Sequence, residues 1–339
     1  MSGPLTPAQT SHPNFPHGLD IGPLVLDNDE NGSFNAEAQN RAIQRFGIAG
    51  RIWEAAELMI RYFRLSESSD WQLDPPCSII RRKDGRDVTI MELGSGTGYV
   101  GLNLAKQLSR LGKRSDLIIL TDLPDVCVLL EETLHHEKHR WMTSHPACTD
   151  FLPVKILPLP WGDVTEVDRL SDLLGGERNA MSKPRALTHI ICSDLVYFPH
   201  LLAPLLRTLL HFTSPPFSGS EHSPEVIISY KIRSLSKETA FWSAFGLWFS
   251  FSPVSVRDGT SRTSQERFDC TARESLEAQG WHVFGPEGFL FVGVRRPQSF
   301  KWNVPESDSD LLAGIGAQNS DEPQSDDTFE TLLMMQMEV

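Results

Sequence analysis

Three glycines at alternate positions, Gly94-x-Gly96-x-Gly98, follow one short apolar run (88–93) and precede a stretch of helical spacing (99–111). Glycine lets a chain turn sharply after a strand and brings backbone N–H groups close to a ligand. The spacing differs from the G-x-G-x-x-G that cradles a pyrophosphate, and no Gly-Lys-Ser/Thr of a phosphate-binding loop follows. Two carboxylates flank the turn in sequence. Asp122 ends the next apolar run, where an acid can accept both hydroxyls of a ribose; an aspartate there equally suits the cap of a following helix. Glu92, just ahead of the glycines, would repel a pyrophosphate but suits a ligand carrying an ammonium and a sulfonium. The combination points to an adenosine without phosphates, and S-adenosylmethionine is the ligand that fits. Gly96 is then expected at the closest backbone approach, with Glu92 near the cationic methionine end. A tight strand-to-helix turn with no ligand would need the same glycines.

A second pair could act on an acceptor. Asp194-Leu-Val-Tyr197 follows the fourth apolar run, at the strand end where ligands gather in open parallel sheets. A carboxylate can hold an amine by a charge-assisted hydrogen bond, and an aromatic face can attract a cation and pack on its aliphatic stem. The competing reading is a helix-capping Asp and a buried Tyr. Lys231, Arg233 and Tyr230 lie just after or at the end of the fifth run, with Tyr230 the next candidate should Asp194 not orient the acceptor. His135-His-Glu-Lys-His139 lacks the spacing of a zinc-binding His-Glu-x-x-His helix, so a solvated helix end is expected and no metal is assigned.

The elements needed to hold these residues are legible as alternation. Apolar runs at 88–93, 117–120, 153–159, 187–192 and 225–230 read as buried strands, and the stretches at 99–111, 126–134, 201–210 and 237–246 as helices. That order predicts a parallel sheet with helices on both faces. Runs at 281–284 and 289–294, joined by a Gly/Pro-rich turn, predict a hairpin-like pair at one edge. Segments 65–87, 175–186 and 257–266 read as loops, and the aromatic run 241–249 as core or cleft wall. A short strand is expected near residues 23–26 in an otherwise loose arm, 1–33. The remaining organisation is a main domain, 34–300, and an acidic, mostly disordered tail, 301–339, with an apolar patch at 329–337 expected to fray.

Composition narrows the classes. With 40% hydrophobic residues, the 339-residue chain can bury a substantial core. The net charge is −13, and the nine acids and one lysine after Arg296 account for −8 of it. That balance gives no footprint for a phosphate backbone and argues against nucleic acid. The start of the chain lacks the basic flank and apolar core of a signal peptide, and no run is long enough to span a bilayer. Five scattered cysteines, at 77, 127, 148, 192 and 270, have no metal-ligand spacing. A reduced, monomeric protein of the cytoplasm, and also of the nucleus, is expected, in which the sequon at Asn31 stays bare.

Five motifs in order give a resemblance. Glu92-Leu-Gly-Ser-Gly-Thr-Gly98, Leu120-Thr-Asp-Leu-Pro124, Pro160-Trp-Gly-Asp163, Cys192-Ser-Asp-Leu-Val-Tyr197 and Tyr230-Lys-Ile-Arg233 resemble the family 16 methyltransferases, the seven-β-strand group that mostly methylates lysines in other proteins. Gly50-Arg-Ile-Trp-Glu-Ala-Ala56 resembles the helix that opens that family's domain. The likeness covers about residues 47–235 and implies a class I, Rossmann-like methyltransferase fold with a mostly parallel seven-stranded sheet and an antiparallel edge strand. It implies that Trp53 lines the methionine end of the S-adenosylmethionine pocket, that Gly94, Ser95 and Gly96 pass under the cofactor with Gly98 completing the turn, that Trp161 packs on the adenine, and that Ser193 lies beside it. For Trp53 a core position, and for Trp161 a turn anchor, remain open. The Asp-x-x-Tyr at 194–197 differs from the Asn-Pro-Pro-Tyr of enzymes acting on neutral amides and ring nitrogens; a carboxylate favours a cationic amine. The implied partner is a protein substrate such as an elongation factor or chaperone. A small-molecule or N-terminal-amine methyltransferase is the alternative, although no N-terminal lid is evident, and a non-catalytic cofactor-binding scaffold is a second.

Overall fold

The structure is a computed structural model that describes residues 21–26, 32–82, 85–113, 115–145, 151–163, 165, 169–170, 185–218, 223–259, 281–285 and 288–337. Its centre is a seven-stranded sheet, β2 (Thr89–Leu93), β3 (Leu117–Asp122), β4 (Val154–Pro158), β5 (His189–Ser193), β6 (Glu225–Tyr230), β7 (Phe249–Pro253) and β10 (Phe289–Arg295), in the order β4-β3-β2-β5-β6-β10-β7. Neighbours from β4 to β6 run parallel, while β10 lies antiparallel to both β6 and β7. The order reverses between β2 and β5, which opens a crevice at the carboxyl edge on either side of β2.

Strand residues alternate between two cores, as the pleat requires. Met91, Ile119, Ile190 and Ile228 face one, and Ile90, Ile118, Ile191 and Ile227 face the other. The first face is covered by α5 (Pro199–Phe212) and α6 (Leu235–Trp248), the second by α2 (Glu54–Glu67), α3 (Tyr99–Arg110) and part of α4 (Pro124–Ser144). Ahead of them, α1 (Ala36–Phe46) is capped by Asn35, whose side chain accepts from Ala38 N–H, and ends at Gly47. A 3-10 turn, Gly47–Gly50, follows. The predicted strands of the parallel sheet and the four predicted helices therefore all form, although α4 extends ten residues beyond the expected end at Leu134.

Four expectations fail. The 281–284 and 289–294 runs do not form a hairpin. Trp281–Val283 (β9) pairs with β8 (Ser255–Asp258), which pairs in turn with β1 (Trp71–Asp74), in a separate three-stranded sheet. Phe284 N–H then bonds to Val254 C=O, and Gly285, at φ +94°, turns the chain toward β10. Segment 65–87 accordingly contains a strand, and β8 runs two residues into the loop expected at 257–266. Residues 23–26 form no strand; Leu24 instead exchanges hydrogen bonds of 2.9 and 2.8 Å with the buried side chain of Gln39. Residues 1–20 and 171–184, with Cys148 and Cys270, lie outside the described residues. Cys77, Cys127 and Cys192 are buried free thiols.

The fourth failure is the tail. Segment 305–337 is packed against the first face through α7 (Asp308–Leu312), a 3-10 turn (Ala317–Asn319) and α8 (Thr328–Met337). Leu311, Ala317 and Phe329 are fully buried, and Phe329 stacks on Trp242 with ring centroids 4.9 Å apart. Arg207 donates to Pro305 C=O and pairs with Asp308 at 2.9 Å. A polar composition hides these few apolar anchors, of which Phe329 meets the rings of Tyr230, Trp242, Phe289 and Phe291. Among the described residues no helix is long and apolar enough to cross a membrane, and no group of His, Cys, Asp and Glu is placed to hold a metal ion.

Candidate active site

The carboxyl edge of the sheet opens into a cavity of about 470 Å³, within the size range of small-molecule sites. The strand ends supply its wall in register. Gly94, Ser95 and Gly96 follow β2, Asp122 ends β3, Trp161 follows β4, Ser193 ends β5 with Asp194 next, and Arg233 follows β6. Trp53, Glu92 and Tyr197 complete the set, so every residue assigned from sequence lines the cavity except Gly98. Gly98 has φ +77° and starts α3; a side chain there would press on Leu102 and Leu130. Its role is to turn the chain into the helix.

Gly96 lines the cavity and carries a second steric constraint. A Cβ at this position, φ +53°, would stand 2.9 Å from the carbonyl oxygen of Ala49. The Gly47–Gly50 turn therefore lies directly across the glycine segment. Ile48, Ala49, Arg51 and Ile52 line the cavity beside Trp53, forming an N-terminal cover that was not evident in the sequence. Gly94, φ +57°, is needed for a different reason: its Cβ would meet Leu195 Cδ2 at 2.8 Å and Trp161 Cζ2 at 2.9 Å. Bare backbone here lets the Trp161 ring close the pocket.

The two carboxylates behave differently from one another. Asp122 is not a helix cap; Leu123 precedes α4. Its oxygens accept Gly96 N–H at 2.8 Å and Leu123 N–H at 2.7 Å, which ties β3 to the glycine turn and leaves lone pairs for hydroxyl donors. Burial pushes it up to about 6, against the pull of those two N–H groups. Glu92 is 2% exposed and accepts Gly101 N–H at 3.0 Å, in the first turn of α3. Burial raises it to about 8, so in the absence of a cation it is mostly protonated at pH 7.

Asp194 is the most constrained residue of the site. It is 5% exposed, has φ +62°, and its two oxygens accept two hydrogen bonds from the Arg233 guanidinium. Burial raises its carboxyl, with Arg233 opposing the rise. The guanidinium stands 5.0 Å from the Trp53 ring centroid and 3.7 Å from Glu54 Oε2. Trp53 is thus not core: it precedes α2, its indole N–H donates to Ile48 C=O at 3.2 Å, and cations lie near its ring, with Arg51 at 4.3 Å. Tyr197 is half-buried in the segment before α5, its ring 4.7 Å from that of Phe198, and burial raises its phenol. Ser193 Oγ accepts from Ser229 Oγ–H at 3.2 Å. Tyr230 is fully buried and does not itself line the cavity; its hydroxyl donates to Glu238, which does. The sequence left Arg233 undecided between cleft and surface. No local pattern could have shown that it bridges to Asp194, 39 positions away.

The family profile described as lysine methyltransferase matches residues 35–245. Solved structures with related architecture include the DszA carbon methyltransferase (16% identity, 77% of this chain and 55% of that one, TM-score 0.33). An O-methyltransferase family protein from Burkholderia thailandensis matches at 12% identity over 71% of this chain and 58% of that one, TM-score 0.33. The CMeT domain of the citrinin polyketide synthase matches at 10% identity over 62% and 47%, TM-score 0.30. The chain spans about half the length of these structures.

Proposed function

The chain belongs to the lysine methyltransferase family, and on that premise we propose that it transfers a methyl group from S-adenosylmethionine to lysine side chains of a protein substrate. The observation that carries the amine specificity is the placement of Arg233. A buried carboxylate and an indole face already hold a cation at the sheet edge where the cofactor pocket ends. Carboxylate and aromatic ring are the two groups that recognise an ammonium.

The residues present fit the cofactor. Asp122 is tied at the end of β3 with acceptor capacity to spare, Gly94 leaves the Trp161 face uncovered, and Glu92 can ionise when a cation enters. The bound cofactor would supply an electrophilic methyl on a sulfonium. The protein's work is then to deliver a neutral amine in line. An incoming lysine displaces the Arg233 guanidinium, for which Glu54 is the adjacent alternative partner. Burial raises the Asp194 carboxyl, and with Arg233 displaced it is the base beside the ammonium that can take the proton the amine must lose. Tyr197 and Trp53 flank the aliphatic stem and exclude water.

The test is incubation with methyl-labelled cofactor and cell lysate, followed by amino-acid analysis of the labelled species. Label in methyl-lysine of a protein supports the reading. Label in a small molecule or at protein N-termini would establish the alternative acceptor classes, and cofactor binding with no transfer would indicate a scaffold.

A further inference from the structure

A second groove, of about 680 Å³, begins where the reaction cavity ends. Glu54 and Lys231 stand at its near end, beside Arg233, and the groove runs between α2 and α3. From α2 it receives Arg61 and Arg64, from α3 Lys106 and Arg110, and from α4 Arg140. The pairs on α2 and α3 follow helical spacing, so each of these two helices presents one basic stripe to the same channel. Glu57 also lines the groove and accepts from the Tyr99 hydroxyl, and the buried Glu137 pairs with Lys106 and Arg140, which leaves the basic residues of the groove in excess over its acids. Among the described residues no carboxylate pairs with Arg61, Arg64 or Arg110, all exposed. This concentration of positive charge stands out in a chain of net charge −13, whose acidic tail packs on the opposite face of the sheet.

We propose that this groove docks an acidic segment of the protein substrate, adjacent in its chain to the lysine that is methylated. The inference rests on the protein-lysine reading of the cavity. A 14-residue α2 is about 21 Å long, enough for roughly six extended residues. Such a segment laid along the stripes leaves the neighbouring lysine at the Glu54 end, before Asp194 and Trp53. Cationic grooves also attract nucleic acid, but single-strand binding needs exposed aromatic platforms. The aromatic residues lining this groove, Phe34 and Tyr99, are buried, and Glu54 guards the mouth. The geometry therefore favours a peptide.

The experiment uses two fluorescent peptides on the full chain, each with one lysine, followed in one by six glutamates and in the other by six serines. Anisotropy at low salt is expected to show at least ~10-fold tighter binding of the acidic peptide, lost at high salt because the contacts are exposed. The preference should disappear in the triple variant Arg61→Glu/Arg64→Glu/Arg110→Glu and be reduced in the neutral Arg61→Gln/Arg64→Gln/Arg110→Gln. Unchanged affinity for S-adenosylhomocysteine in both variants shows that they are folded. Equal binding of the two peptides, or a preference that survives charge reversal, overturns the proposal. So does a 12-nucleotide oligouridylate that binds as tightly as the acidic peptide. Methylation of the same peptides is read separately: charge-dependent binding with no methyl transfer to lysine would count against the reaction and leave the groove standing.

Discussion

Asp194 would be an ordinary cap if its carboxylate bonded to the first N–H groups of α5, but Phe198 occupies that position and Asp194 faces Arg233. Substitution by Asn keeps the shape and removes the charge. Cofactor affinity should survive, while single-turnover methylation falls by ~10²-fold or more, the scale for a lost positioning and electrostatic group. A near-normal rate would remove Asp194 from the reaction centre. Arg233→Met leaves burial as the dominant influence on Asp194, so the acid limb of the pH–rate profile should move upward. Glu92 gives a stability prediction. Its folded value of about 8 lies above the ordinary 4.5, so the folded state binds the proton more tightly than the unfolded one. The stabilisation is complete below pH 4.5 and disappears as pH rises through 8; Asp122 acts in the same direction up to about 6. The ligand-free protein should lose on the order of a few kcal/mol between pH 5 and 8, and Glu92→Gln should flatten that slope. Urea unfolding at the two pH values measures it, and an identical slope in the variant would show that Glu92 is not the proton's site.

The Gly47–Gly50 turn decides whether the cavity is covered, and one carbonyl ties it to the glycine segment. Gly96→Ala would force a side chain into both a positive φ and the Ala49 oxygen. Displacement of the turn and of Trp53 behind it should weaken S-adenosylhomocysteine by at least ~10-fold in a protein that remains folded; calorimetry with unchanged affinity would show that the cover plays no part in binding. The sequence exposed the strands of this site because β2, β3, β5 and β6 are short apolar runs stopped by polar or glycine residues. It exposed the glycine turn and Asp122 by spacing. The cover was hidden because a four-residue turn has no periodicity, and its significance lies in what it touches across the fold. The misread hairpin has the same origin. Runs 281–284 and 289–294 look complementary in sequence, yet Trp281–Val283 gains its ladder from β8. Partner choice for a strand is a tertiary property.

At the scale of the molecule, the acidic tail shows how composition can mislead. Its average is that of a disordered chain, but folding is decided by where its few apolar groups land. Phe329 enters an aromatic cluster with Tyr230, Trp242, Phe289 and Phe291, all at centroid distances of 6.1 Å or less. That cluster backs α6 and the β6–β10 pair, whose other ends position Arg233 and Glu238. Phe329→Ala should therefore cost about 3–5 kcal/mol, the usual range for a buried phenylalanine emptied without collapse. Deleting residues 305–339 should lower stability by at least as much, since it also exposes Trp242 and removes the anchors of Arg207 and Arg296. Cofactor affinity at a temperature where both variants are folded should stay near wild type, because no residue of the tail lines the cavity. Chemical unfolding of the two variants beside calorimetric binding separates the effects. If the deletion leaves the unfolding midpoint unchanged, the tail is a passive appendage. If it abolishes binding in a folded protein, the aromatic cluster transmits to the Arg233 loop, and the tail belongs to the catalytic unit.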